Sequence, residues 1–157
     1  LISAPPLLGQ GPSQQVLGTV TTPTLHITSL EDTINLPGYR STVEDRIAIF
    51  EAMNRSPRTL AIYNTGGHSI FTDRTTRSGP ETSARIKSAT QELCTIFLRQ
   101  SLRFGHQLVN PQGQGKQPLA ESKPDGLTDS LEMQLSLWQW VYRHKGLLDR
   151  FVTPESL

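Results

Sequence analysis

The chain has 157 residues, which is the length of one domain or of a piece of one. With 35% apolar and 18% charged residues and a net charge of +1, it is neither a disordered chain nor a strongly basic nucleic-acid binder. Its single cysteine, Cys94, excludes an internal disulfide framework and a Cys-rich zinc site, and no apolar run approaches the ~18 residues of a membrane span.

Leu1-Ile2-Ser3 reads as the tail of a buried strand rather than a solvated terminus, and the following Pro5-Pro6, with no basic stretch before it, does not fit a signal peptide. Residues 24–30 (TLHITSL) follow Pro23, are rich in β-branched side chains and stop at Glu31-Asp32. This predicts a strand ending in a turn. Thr42-Val-Glu-Asp45 then opens a helix, with Thr42 as the cap and Asp45 at the third position, where a carboxylate suits the dipole. Val43, Ile47 and Phe50 fall on one face of it. Ser56-Pro57 breaks the pattern, residues 58–63 (RTLAIY) predict a second strand, and Asn64-Thr-Gly-Gly67 is a turn that delivers His68.

Ser78-Gly-Pro-Glu81 has capping-box spacing and predicts a helix to about residue 103, with Ile86, Leu93 and Phe97 on one face. Residues 104–126, rich in Gly, Pro and Gln, predict a long surface loop. Asp129-Ser-Leu-Glu132 is expected to cap a final helix bearing Leu131, Leu135, Trp138 and Tyr142. The expected class is α/β, with strands of a parallel sheet flanked by helices. The chain divides into a core over 1–103, a loop over 104–126, and a helix and tail over 127–157. Two strands are too few for a parallel sheet buried on both faces, so the architecture reads as part of a larger one.

Asp32 follows the end of the first strand and His68 follows the end of the second. In a parallel sheet both ends lie on one edge, ~5 Å apart if the strands are neighbours, where open α/β folds place ligands. An Asp that accepts from a His Nδ1–H fixes the tautomer and stabilises the imidazolium, which is the acid–base half of a hydrolytic triad. Gly66-Gly67 gives the approach to His68 the backbone freedom that a protruding loop needs. Direct contact is expected, at about 2.6–3.2 Å.

The segment from Pro23-Thr-Leu through Asp32-Thr-Ile34 resembles the strand-and-acid segment of α/β-hydrolases, and Gly66-Gly67-His68-Ser69 resembles their histidine loop. The nearest likeness is to the dienelactone-hydrolase-like and bacterial polyester-hydrolase (cutinase-like) groups, over roughly residues 2–103. The resemblance implies a partial α/β-hydrolase fold, a small-molecule or polymeric ester substrate, and Asp32 and His68 as catalytic residues. It also implies Ile34 and Ser69 as substrate-binding residues, with no metal or organic cofactor. One departure dominates. The family's nucleophile sits in a Gly-x-Ser-x-Gly elbow upstream of the acid, and none occurs in these 157 residues. The elbow is therefore expected on a missing N-terminal part of the same fold, about 20–60 residues before Leu1.

Other polar residues have simpler readings. Glu31 is a substitute acid for Asp32, His26 packs on one side of its strand, and His106 and His144 make no metal set. Cys94 is a small hydrophobe, Arg40, Arg46, Arg74 and Arg77 are solvated, and of Trp138 and Trp140 one lies in the core and the other borders a cleft. The rival to the hydrolase is a non-catalytic α/β binding or scaffold domain in which Asp32 and His68 are incidental.

Overall fold

The computed structural model describes residues 1–4, 12–72, 78–108 and 125–154. In chain order its first elements are α1 (Ser13–Leu17), β1 (Thr24–Ser29), β2 (Ile34–Leu36), β3 (Tyr39–Ser41), α2 (Val43–Ala52) and β4 (Arg58–Tyr63). A 3₁₀ turn (His68–Phe71), α3 (Pro80–Leu108), α4 (Asp125–His144), a second 3₁₀ turn (Lys145–Leu147) and β5 (Leu148–Val152) follow. The protein is mixed α/β.

The two β-branched runs form the strands expected of them, and β1 pairs with β4 in parallel from Thr24 opposite Arg58 to Ser29 opposite Tyr63. Side chains alternate across a strand, so each run feeds two cores. Leu25, Ile27, Ala61 and Tyr63 point to the face covered by α3 and α4, where they meet Ile86, Leu93 and Trp140. Leu60 and Ile62 point to the other face, against Val43 and Phe50 of α2. His26 also lies on that side, buried edge-on to Phe50 with ring centroids 5.4 Å apart. Burial lowers its pKa to about 4 and keeps the ring neutral at ordinary pH. Thr42 and Asp45 cap α2 as their spacing predicts, the Asp45 carboxylate accepting from the Thr42 N–H at 2.8 Å.

The sheet is mixed rather than parallel. β5, which was expected to be tail, runs antiparallel along the free edge of β4, giving the order β1-β4-β5. Covering that edge satisfies a row of backbone groups that would otherwise face water. Leu1–Ser3 lines the opposite edge: the Leu1 carbonyl accepts from Ile27 N–H at 2.9 Å and Ser3 N–H donates to the Ile27 carbonyl at 2.8 Å. These residues pair with β1 only through an isolated bridge at Ile2, and they are not the buried strand expected: Leu1 and Ile2 are exposed because the segment lies at the sheet's outer edge. β2 and β3 form a separate hairpin between Asp32 and α2.

The helices depart from expectation at their ends. α3 continues to Leu108 and α4 begins at Asp125, so the loop expected over 104–126 loses both flanks, and its middle lies outside the described residues. A helix tolerates Gly105 at a cost of about 1 kcal/mol, which a glycine-based stop signal overstates. Among the described residues the Ser78 hydroxyl finds no hydrogen-bond partner, so it does not cap α3; Ser83 instead bonds back to the Gly79 carbonyl at 2.8 Å. In α4 the Leu131, Leu135, Trp138 and Tyr142 stripe is exposed, and Trp140 takes the core position. Its indole N–H donates to the Ala89 carbonyl at 2.9 Å, a bond that sets which face of α4 turns to α3. Among the described residues, no helix is long and apolar enough to cross a membrane.

Candidate functional site

Two strand ends and one bridged segment converge at one edge of the sheet. β1 hands on to Glu31-Asp32, β4 to the glycine turn and His68, and the Leu1–Ser3 segment ends at Ser3. The parallel register puts Ser29 opposite Tyr63, and the Leu30 N–H donates to the Tyr63 carbonyl at 2.9 Å, so both loops leave the sheet side by side. The loops are then sewn together. Ser29 Oγ donates to the Gly66 carbonyl, and Gly66 N–H donates to Glu31 Oε2 at 3.2 Å. Gly66 has φ +108°, and a Cβ there would come within 2.8 Å of Ile70 Cγ1. Only glycine fits both the conformation and the space.

This geometry brings Asp32 and His68 into contact, with Nδ1 2.9 Å from Oδ1. Asp32 is fully buried, while the His68 side chain is 46% exposed. The second carboxylate oxygen is also engaged: Thr28 Oγ1 donates to Oδ2 at 2.8 Å, and Arg46 Nε lies 3.2 Å from it. Burial alone pushes the Asp32 carboxyl up. Hydrogen bonds from Ser3, Thr28 and His68, with the Arg46 charge, outweigh that and hold it below the usual carboxylate range. Asp32 is therefore an anion, and an anion accepts the Nδ1 proton. That leaves Nε2 as the basic nitrogen, and among the described residues none hydrogen-bonds it.

Arg46 corrects the sequence reading. It is not solvated: it is buried beneath Asp32, with Nη1 donating to Ser41 Oγ and, at 2.9 Å, to the Thr42 carbonyl. Among the described residues its buried Nη2 has no hydrogen-bond partner. The signal was present, because position 46 lies three residues after Val43 and four before Phe50, on the apolar face of α2. Glu31 is not a substitute acid, since its carboxylate holds the Gly66 amide rather than His68. Ser3 was read only as part of a strand tail, yet its Oγ lies 2.8 Å from His68 Nδ1. Ile34 opens β2 two residues after Asp32, and Ser69 follows His68 in the 3₁₀ turn; both are half-buried beside the dyad in sequence. The Ser69 carbonyl is occupied by Thr72, which donates both its N–H and its hydroxyl.

Ser3 is not the attacking group of a triad. It shares Nδ1 with Asp32, and a nitrogen that already carries a proton cannot take one from a serine. Elsewhere His144 Nε2 lies 3.3 Å from Glu92, a surface pair on α4 and α3, and no cluster of three or more His, Cys, Asp or Glu able to hold a metal occurs among the described residues. No protein-family model, no curated protein and no solved structure matches this chain.

Proposed function

We propose that the chain supplies the acid and histidine of a serine ester hydrolase, with the nucleophile elbow carried on a segment outside this sequence. The observation that carries the reading is the 2.9 Å contact between a buried, ionised Asp32 and a half-exposed His68 at the ends of adjacent parallel strands. His68 Nε2 removes the serine proton as the oxygen attacks the ester carbonyl. The imidazolium, stabilised by Asp32, returns that proton to the departing alcohol, leaving an acyl-enzyme. Nε2 then takes a proton from water, whose oxygen attacks the acyl carbon, and the imidazolium returns that proton to the departing serine oxygen, releasing the acid and restoring the hydroxyl. Asp32 stays ionised throughout and fixes the ring. Ile34 and Ser69 would border the substrate, as the α/β-hydrolase resemblance implies.

The test uses the full product of the gene that encodes this chain. A fluorophosphonate probe is expected to label one serine in an upstream Gly-x-Ser-x-Gly, and a short p-nitrophenyl ester is expected to protect it. The 157-residue chain alone should give no saturable turnover above its His68→Ala variant, because it has no elbow to activate. Absence of labelling and turnover in the full product overturns the hydrolase in favour of a binding or scaffold domain. That rival has its own support: the buried Asp32–Arg46 pair ties β1 to α2 whether or not His68 does chemistry. Saturable, His68-dependent turnover by the chain alone would overturn the external elbow.

A further inference from the structure

We infer that Ser3 is a positioning residue for the Asp32–His68 pair, clamping the carboxylate and the imidazole together from the segment that lines the edge of β1. The inference rests on the proposed dyad but not on the reaction it serves. Ser3 is buried and holds φ +48°, a left-handed conformation that a serine reaches only at some cost. The backbone is pinned there because Ser3 N–H donates to the Ile27 carbonyl at 2.8 Å, one strand pairing away from the dyad. The turn aims Oγ at His68 Nδ1, 2.8 Å away.

The proton count then fixes the roles. Nδ1 carries one hydrogen, and the ionised Asp32 is its main acceptor at 2.9 Å. The Ser3 hydroxyl cannot donate to a protonated nitrogen, so its lone pair faces the Nδ1–H, and its own proton is left for the Asp32 carboxylate, which a Ser3 hydrogen bond helps to hold ionised. One hydroxyl thus bridges acid and base. Thr28 and Arg46 hold the other carboxylate oxygen, and Ser3 Oγ lies against the Nδ1–H itself. Strain at a residue in this position is consistent with a fixed geometry being worth its cost.

Ser3→Gly removes the hydroxyl and suits the positive φ, so its fold is expected to be preserved. The readout is exchange of the His68 Nδ1–H with water, followed by NMR on the ¹⁵N-histidine-labelled 157-residue chain and assigned with His68→Gln. In Ser3→Gly the exchange is expected to quicken at least about fivefold, the scale of one lost hydrogen bond, with the remaining amide spectrum unchanged. Ser3→Asn tolerates positive φ and restores a donor, so it should recover part of the protection. Unchanged exchange in a folded Ser3→Gly overturns the inference, as does equal exchange in Ser3→Gly and Ser3→Asn. If Ser3→Gly fails to fold, Ser3→Cys decides on the same readout: protection as slow as in the native chain counts against the inference, and faster exchange supports it. The measurement needs no nucleophile or substrate, so hydrolysis can fail while Ser3's role stands, and the reverse.

Discussion

His68→Ala is expected to lower kcat for ester hydrolysis by the full gene product about 10⁶-fold, the scale at which loss of a triad histidine acts. The change falls on the chemical step because the imidazole moves the proton in both acylation and deacylation, and among the described residues no neighbour takes its place. Glu31 is committed to the Gly66 amide, and Ser3 has no basic nitrogen. Stability should scarcely move. The His68 side chain is 46% exposed, and without it Asp32 keeps Thr28 and Arg46. Urea unfolding of the same variant checks this half, and a loss of activity that tracks a loss of fold would assign His68 a structural role.

Asp32→Asn should do the opposite to stability, costing about 3–5 kcal/mol. The amide matches the carboxylate in shape but leaves the Arg46 guanidinium buried without its counter-charge, with side chains 3% and 0% exposed in the native pair. Arg46→Met in the Asp32→Asn background should recover part of the loss, because an unpaired buried charge costs more than no charge. The urea midpoints of the two variants test this, and equal midpoints would show that the pair is not coupled. The carboxylate also sets an acid limit. Its folded pKa lies below the unfolded value of about 3.9, so its stabilisation is complete above that value and is lost as pH falls through the folded one. Below about pH 4 the native chain should therefore lose stability more steeply than Asp32→Asn.

Much of this site is legible in the residues. TLHITSL and RTLAIY announce strands through their β-branched runs, each followed by a turn, and a parallel pair puts Asp32 and His68 on one edge. What escapes is the support around them. Arg46 is hidden by its charge: a guanidinium on an apolar helix face is sensible only when a carboxylate lies above it, and that carboxylate comes from another element. Ser3 is hidden because its role depends on pairing with β1 across 24 residues of chain, a long-range contact that no local pattern encodes. β5 escapes because Asp149 and Arg150 interrupt its apolar residues; at the edge of a sheet such side chains simply face water. The α4 stripe misleads for the converse reason. Helical spacing identifies an apolar face, but the Trp140 bond to Ala89 decides which face is buried.

The account stands on Asp32 fixing the His68 ring so that Nε2 is the free base. The most direct measurement is the pair of ¹⁵N imidazole shifts of His68 in the native 157-residue chain, at a pH where the ring is neutral. The expected result is a protonated Nδ1 and a bare Nε2 in the native chain, with the preference weakened or reversed in Asp32→Asn. A proton resident on Nε2 in the native chain, unaltered by Asp32→Asn, would contradict it.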